Sequence, residues 1–284
     1  MAELNRLEII ASPEDTDIIT AILALAVNHG WEEEDLPSGE VLFRVHSHNP
    51  QFCLELETEL KSRLPGLELS LDMVPELNWV ETWKEFFTPV EAGSRFLVLA
   101  PWMEAERATT TRIPIVIEPK TAFGTGHHAT TALCLTALDN LYDQGRIRAG
   151  QRFFDLGTGS GILGIAAAKL GLVGQGVDVD ILAVENALEN RDINEVAPAA
   201  LAVERGGLGA AENGPYDLVL ANILAEPLMQ MAPDLMNQVK RPGGCLVLSG
   251  ILATQGEQVR EAYAALGEPE VARQTEWISL VWKL

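Results

Sequence analysis

The amino-acid sequence predicts an α/β protein: a smaller N-terminal α+β domain followed by a mostly parallel sheet with helices on both faces. Three observations predict this fold class. The chain has 284 residues, which at roughly 150 residues per domain favours two domains. From Phe96 onward, apolar segments typical of strands alternate with segments typical of helices. Residues 1–75 instead hold two helical segments among three alternating strands, for which a ferredoxin-like arrangement is one natural solution.

Residues 1–75 are interpreted as one domain of β-α-β-α-β outline. Ser12 and Pro13 predict a helix start, because serine is a capping residue and proline is tolerated at the first helical position. Asn49 and Pro50 repeat this signal before the second helix. The predicted elements are strands at Leu4–Ala11, Val41–His46 and Leu67–Met73, and helices from Ser12 to Asn28 and from Asn49 to Arg63.

Residues 76–95 are predicted to be a linker helix. The aromatic residues Trp79, Trp83, Phe86 and Phe87 fall on roughly one helical face, and such a stripe usually packs against a domain. Contact with a substrate is the alternative interpretation.

Residues 96–284 form the third predicted region, in which strands and helices alternate until two adjacent strands close the chain. The adjacent final strands predict an antiparallel pair at one edge of the sheet. The predicted strands are Phe96–Ala100, Ile115–Glu118, Arg152–Leu156, Gly174–Val179, Asp217–Ala221, Cys245–Ser249, Glu270–Thr275 and Trp277–Lys283, and the helices are Ala129–Leu141, Gly161–Leu170, Ile181–Asn194, Leu224–Val239 and Ala253–Leu266.

The charge balance limits the classes of partner. With 41 acidic and 20 basic residues the formal net charge is −21, so neither direct nucleic-acid binding nor an anionic membrane surface is expected. Residues 1–95 alone hold 19 acidic and 6 basic residues. This excess either serves solubility or forms an acidic face for a basic protein. The longest apolar run, Ile18–Val27, is too short to span a bilayer.

Cysteine usage favours a reducing compartment. The three cysteines, Cys53, Cys134 and Cys245, are far apart and form no metal-binding or disulfide pattern. The first residues lack the basic-then-apolar pattern of a secretory signal, so a cytoplasmic location is expected. The adjacent His127 and His128 lack further ligands nearby, and no metal site is expected.

A glycine-rich loop is the most informative motif. Asp155 ends an apolar strand, and Gly157, Gly159 and Gly161 follow before a helix, so the backbone can turn tightly and approach a ligand. The same residues partly match a dinucleotide pattern. For a dinucleotide, Asp155 would face an anionic pyrophosphate, which it would repel. For S-adenosylmethionine the sign of the charge is right, because this cofactor carries a sulfonium and an ammonium. A loop without a ligand is the third alternative.

Two further strand ends carry polar residues that fit the same ligand. Asp178 lies at the end of the next strand and can accept hydrogen bonds from ribose hydroxyls, which both NAD and S-adenosylmethionine possess. Asp180 is expected to cap the following helix. Asn222 ends a later strand, where its amide oxygen could accept a substrate N–H or cap a turn. Thr130 and Thr131 sit near a helix N-terminus, which suits a carboxylate or an adenosine edge.

The motifs occur in the order FGTGHHATT, DLGTGSGILGIAA, GVDVD, ANILAEPL and LSGILATQ. Together they resemble the ribosomal protein L-eleven methyltransferases, the PrmA family of class I S-adenosylmethionine-dependent enzymes. The stretch WKEFFTPVEAG and the small N-terminal domain are also similar, so the resemblance covers essentially the whole chain. Ala129 departs from the proline that usually precedes the two threonines.

The resemblance implies a Rossmann-like class I methyltransferase sheet over residues 96–284 and a substrate-recognition domain over residues 1–75. It places cofactor contacts at Thr131, Gly157, Asp178 and Asn222. The implied substrate is ribosomal protein L-eleven, methylated on lysine side chains and the α-amine.

The sequence is therefore interpreted as a protein N-methyltransferase that uses S-adenosylmethionine. Asn222 is the candidate for orienting the amine, and His128 or water for removing its proton. Asp155, Gly159 and Gly161 complete the predicted cofactor site. A methyltransferase for another protein or a small molecule is the first alternative. An NAD-dependent oxidoreductase and a binding module with a degenerate pocket are the others.

Overall fold

A computed structural model describes residues 3–27, 31–75, 88–119, 128–211 and 214–284. The chain divides into two compact units, Met1–Phe87 and Thr88–Leu284. Within the described ranges, no helix combines the length and apolar character needed to cross a membrane.

The first unit is a four-stranded antiparallel sheet with two helices. The sheet has the order β2-β3-β1-β4, and the chain order β-α-β-β-α-β confirms the ferredoxin-like prediction. Strand β2 was not predicted from the sequence. The elements are β1 (Glu3–Ala11), α1 (Thr16–Ala26), β2 (Glu32–Asp35), β3 (Val41–Ser47), α2 (Pro50–Arg63) and β4 (Glu68–Pro75).

The two helices of this unit differ in how they begin. Asn49 caps α2, its side chain accepting a hydrogen bond from the Gln51 amide, and Pro50 occupies the first helical position as predicted. Ser12 does not begin α1. Its carbonyl accepts the amides of Asp15 and Thr16 in a turn, and the helix starts only at Thr16.

One face of this sheet packs against both helices. Leu7, Ile9 and Phe43 on the strands are fully buried with Ile19 of α1 and Leu60 of α2. Burying each of these apolar side chains contributes roughly 1.5–3 kcal/mol.

The second unit contains a seven-stranded sheet and a separate three-stranded sheet. Its elements are β5 (Val90–Ala92), β6 (Phe96–Leu99), α3 (Glu104–Thr109), β7 (Ile113–Val116), α4 (Ala129–Asp143), β8 (Arg152–Leu156), α5 (Ile162–Lys169), β9 (Val173–Asp178), α6 (Ile181–Ile193), β10 (Leu201–Arg205), β11 (Leu218–Asn222), α7 (Ala225–Gln230), α8 (Ala232–Asn237), β12 (Cys245–Leu252), α9 (Gly256–Ala262), β13 (Glu270–Gln274) and β14 (Trp277–Lys283).

The large sheet has the order β10-β9-β8-β11-β12-β14-β13. Strands β8 to β12 pair in parallel, and β14 pairs antiparallel with both β12 and β13, so the predicted antiparallel edge is confirmed. The strand order reverses between β8 and β11. Ligands of open parallel sheets bind at such a point, beyond the carboxyl ends of the strands.

Each face of the large sheet carries its own apolar core. Phe153 of β8 is buried toward one face with Leu135 and Leu138 of α4. Its neighbour Phe154 is buried toward the other and stacks on Tyr216. Successive residues of β8 therefore point to opposite cores, as expected for a strand covered on both sides.

Several element predictions in this unit were wrong or incomplete. Strand β5 and helix α3 were not predicted. The helix expected at Leu224–Val239 is divided into α7 and α8, because Pro233, in the first turn of α8, has no N–H to continue the hydrogen-bond ladder. Strand β10 was not predicted.

The predicted linker helix over residues 76–95 lies mainly outside the described residues. Its described end is not helical: Val90–Ala92 form β5 and pair antiparallel with Phe96–Val98.

Candidate active site

A cavity of about 620 Å³ opens at the carboxyl ends of β8, β9 and β11. The strand order reverses between β8 and β11 at this point, which is where a ligand is expected. The residues that line the cavity are His128, Thr130, Leu156, Gly157, Thr158, Gly159, Ile162, Leu163, Asp178, Val179, Asp180, Ala183, Gly206, Gly207, Asn222, Ile223, Leu224, Pro227, Met231, Gly250 and Trp277.

The glycine loop after β8 has a backbone that other residues would strain. Gly157, Gly159 and Gly161 have φ values of 71°, 55° and 83°. A Cβ on Gly157 would lie 2.4 Å from Cγ2 of Ile223, and one on Gly161 would lie 3.1 Å from the Cβ of Ala187. The loop can therefore pass close to its neighbours only because these positions lack side chains.

Asp178 is tied to the loop from the end of β9. Its Oδ2 accepts the Gly159 amide at 2.9 Å, and its Oδ1 accepts the Asp180 amide at 3.0 Å. A carboxylate offers about four lone-pair sites, so both oxygens keep acceptor capacity toward the cavity. The side chain of Asp180 accepts the Leu182 amide at 2.9 Å, which confirms its prediction as a helix cap.

Asp155 lies beneath the loop and does not line the cavity. It is fully buried, and its Oδ2 accepts hydrogen bonds from the Thr158 hydroxyl at 2.7 Å and the Gly164 amide at 3.2 Å. Within the described ranges, its Oδ1 has no hydrogen-bond partner. Burial raises the pKa of this carboxyl to about 6, partly offset by the two hydrogen bonds. The sequence predicts that this carboxylate faces the ligand, and the structure differs because the Thr158 hydroxyl and the Gly164 amide hold it beneath the loop.

Asn222 ends β11 and lines the opposite side of the cavity. Its Nδ2 is 3.4 Å from the hydroxyl oxygen of Thr131, a long hydrogen bond, and its Oδ1 is buried with no hydrogen-bond partner among the residues that the structure describes. Thr131 is itself fully buried and does not line the cavity, so it contacts the site through Asn222. A buried acceptor without a partner is uncommon in native proteins, and it suits a ligand that donates a hydrogen bond.

His128 caps α4 at the edge of the same cavity. Its Nδ1 lies 2.8 Å from the Thr130 hydroxyl, and its ring packs edge-on against Trp277, with centroids 5.0 Å apart. Trp277, at the start of β14, was not singled out from the sequence. The two rings are 149 positions apart in the chain, so no local pattern could show that they meet.

The charge of the lining matches a cation better than a polyanion. Among the described lining residues, Asp178 and Asp180 carry carboxylates and none is Lys or Arg. The Gly159 amide, which a pyrophosphate would need, already donates to Asp178. The geometry therefore disfavours a dinucleotide.

Comparison with known proteins identifies the family. The family model described as ribosomal protein L11 methyltransferase (PrmA) matches residues 14–284. The chain belongs to the PrmA family. A PrmA-family relative named ribosomal protein L11 methyltransferase from Rhizobium etli is 39% identical over 275 residues, covering 93% of this chain and 92% of that protein.

Other PrmA-family proteins match over shorter stretches. The Thermus thermophilus protein of the same name is 43% identical over 74% of this chain and 78% of its own length. The Desulfitobacterium hafniense protein is 42% identical over 74% of this chain and 64% of its own length. A solved structure of the ribosomal protein L11 methylase from Lactobacillus delbrueckii is 27% identical, with a TM-score of 0.60 over 70% of this chain and all of that one.

Membership in the PrmA family confirms the predicted family, the predicted fold class and the interpretation as a methyltransferase that uses S-adenosylmethionine. The structure brings Gly157, Gly159, Asp178, Asn222 and His128 together around one cavity. Asp155, Thr131 and Gly161 lie behind its walls.

Proposed function

We propose that this chain transfers methyl groups from S-adenosylmethionine to amino groups of ribosomal protein L11, on lysine side chains and the α-amine. The observation that carries the proposal is the buried Oδ1 of Asn222, which accepts no hydrogen bond from any described residue and lies across the cavity from the glycine loop and Asp178. An amine N–H is the donor that this oxygen lacks.

The residues of the glycine-loop side fit the cofactor. Asp178 is free to accept from ribose hydroxyls with the lone pairs that Gly159 and Asp180 leave unused. Ile162 and Val179 supply apolar surface in the same cavity for a flat base. When bound, S-adenosylmethionine supplies a methyl group on a sulfonium, which is a good leaving group.

The residues of the opposite side fit the amine. Asn222 Oδ1 accepts one N–H and so directs the nitrogen lone pair, while Thr131 limits rotation of the amide. An ammonium has no lone pair, so His128 or a water molecule takes its proton before transfer. Holding the neutral amine in line with the methyl carbon supplies much of the catalysis.

Trp277 suits the methylated products. Each methylation removes an N–H that Asn222 could accept, but the positive charge of a protonated methylamine remains. An aromatic face attracts such a cation by roughly 0.5–2 kcal/mol, depending on solvent exposure. Trp277 would therefore hold partly methylated amines for another round.

We assign substrate docking to residues 1–75. Register places Glu8, Glu34, Glu68 and Asp72 on the sheet face that the helices leave open, where Arg44 bonds Glu8 at 3.1 Å and Glu34 at 2.8 Å. This acidic face supports a basic protein as partner, rather than nucleic acid. The enzyme would act in the cytoplasm, where its free cysteines stay reduced.

The test is a methylation assay with purified full-length protein, S-adenosylmethionine and free L11, read by intact mass and peptide mapping. Methyl groups on L11 amines are expected, and a chain beginning at Thr88 should bind the cofactor but methylate L11 poorly. Cofactor at 100 times its Kd should stabilise the protein by about 2.7 kcal/mol. Stabilisation by NAD alone would refute the cofactor, and unmodified L11 with bound cofactor would refute the substrate.

A further inference from the structure

Three asparagines, Asn186, Asn190 and Asn194, follow one another at four-residue spacing along α6 and its end. Their exposed fractions are 2%, 0% and 5%. This spacing places them on one face of the helix, and burying an amide is costly unless its N–H and C=O groups are bonded. The Asn186 amide has no hydrogen-bond partner among the described residues, whereas Asn190 and Asn194 are bonded, and their contacts show which segments they hold.

Asn194 holds the end of strand β7. Its Oδ1 accepts the Val116 amide at 2.9 Å, and its Nδ2 donates to the Val116 carbonyl and to the Asn190 carbonyl. These contacts join the end of α6 to β7 or lie within α6 itself, so Asn194 has a structural role away from the cavity.

Asn190 joins two different segments. Its Oδ1 accepts the Glu118 amide at 2.8 Å, and its Nδ2 donates to the Ser160 carbonyl at 2.8 Å. Ser160 belongs to the glycine loop, and Glu118 follows β7 on the chain toward His128. One buried amide thus fixes the loop relative to the segment that leaves β7.

The same peptide of the loop rests directly on α6. At Gly161, φ is +83°, and an added Cβ would lie 3.2 Å from the Cα of Ala187. Asp178 holds the Gly159 amide on the cavity side. The loop is therefore held from two directions, by Asp178 in the cavity wall and by Asn190 behind it.

We propose that Asn190 is a positioning residue for the cofactor, because it sets the distance between the glycine loop and α6 and so the place of the Gly159 amide and its partner Asp178. This inference rests on the proposed function, since it concerns the cofactor site. Asn190 itself does not line the cavity and acts through Ser160.

The matched test compares Asn190→Asp with Asn194→Asp in the full-length protein. Each substitution keeps the shape and one acceptor, and each sets a carboxylate oxygen against a backbone carbonyl, of Ser160 or of Val116. Both variants should lose stability toward urea. Asn190→Asp should raise the Kd for S-adenosylhomocysteine and the KM for S-adenosylmethionine at least tenfold, whereas Asn194→Asp should change them less than threefold. At saturating cofactor, kcat of Asn190→Asp should stay within about threefold of wild type.

Equal weakening of cofactor binding in the two variants, or wild-type affinity in Asn190→Asp, overturns the positioning role. If Asn190→Asp does not fold, the pair Asn190→Ser and Asn194→Ser replaces the two aspartate variants, with the same expected difference in cofactor Kd and KM. Hydrogen exchange of residues 157–161 gives a readout without cofactor: it should accelerate in the Asn190 variant only, and unchanged exchange overturns the inference. If the wild-type protein binds no S-adenosylhomocysteine, while exchange of residues 157–161 is still faster in the Asn190 variant than in wild type, the proposed function is refuted and the positioning of the loop is not.

Discussion

On the glycine-loop wall of the cavity, the polar groups already have partners within the protein. The Gly159 amide, the Ser160 carbonyl and the Asp180 amide are each bonded. On the opposite wall, within the described part of the chain, the Asn222 side chain makes one long hydrogen bond to Thr131, and its Oδ1 is buried without a partner. A buried group without a partner costs roughly 1–3 kcal/mol, so the second wall is incomplete until a donor arrives. On the proposed function, the glycine-loop wall is a preformed cofactor wall, and the Asn222 wall is an amine wall that the substrate would complete.

Asn222→Ala removes the unpartnered acceptor and should have the largest effect. Turnover should fall about 100-fold or more, as when one preorganised hydrogen-bonding group is removed from an active site. Cofactor affinity should change only a few-fold, because the cofactor wall is intact. Steady-state kinetics and calorimetry measure both. Asn222→Asp keeps an oxygen acceptor and should retain more activity; equal loss in both variants would contradict an acceptor role.

Asp178→Ala should act on the other wall and reverse the pattern. Loss of hydrogen bonds to a carboxylate, roughly 1.5–3 kcal/mol, should weaken cofactor binding about 10- to 100-fold. Calorimetric titration with S-adenosylhomocysteine checks this. Asn49→Ala is the control, because its side chain caps α2 and does not line the cavity, so it should cost about 1 kcal/mol of stability with little loss of affinity. Equal affinities in the two variants would remove Asp178 from the site.

Asp155, beneath the glycine loop, should make the free energy of unfolding of the protein depend on pH. Its pKa in the folded protein is about 6, above the ordinary value of 3.8, so the folded state binds the proton more tightly than the unfolded state. Its contribution to stability is complete below pH 3.8 and is lost as pH rises through 6. Asp155→Asn lacks this loss, so its stability relative to wild type should rise between pH 4 and pH 7 by on the order of 1–3 kcal/mol. Urea unfolding at several pH values gives the difference, and a flat difference would contradict the burial argument.

Thr131→Val should have the smallest effect of the four. It removes the hydroxyl near Asn222 Nδ2 and leaves the Asn222 oxygen in place. Because a 3.4 Å contact is weak, turnover should fall about three- to tenfold with unchanged cofactor affinity. A loss as large as that of Asn222→Ala would mean that Thr131 itself meets the substrate.

Local patterns predicted the elements of the site well. Strand β8 has the predicted bounds, and the glycine loop, Asp178 and Asn222 follow strand ends at one edge of the sheet. Each of these signals lies within a few residues of chain: an apolar strand followed by a residue type that suits a turn or a ligand. Parallel strands then bring their carboxyl ends together without further information.

The remaining features depend on contacts between distant residues. Trp277 meets His128, and Asn190 meets both Glu118 and Ser160, through packing that no local period encodes. The burial of Asp155 likewise follows from how the loop and α5 cover β8, so its side chain could not be distinguished from a ligand contact by sequence.

A crystal structure of the full-length protein with S-adenosylhomocysteine and L11 bound together would test most directly whether the cofactor and the amine occupy opposite walls of the cavity. We expect ribose hydroxyls on the Asp178 carboxylate and a target amine within about 3.2 Å of Asn222 Oδ1, with the backbone of the glycine loop in the same conformation as in the present structure. An Asn222 oxygen that contacts the cofactor or stays unpaired while the amine lies elsewhere would contradict this expectation.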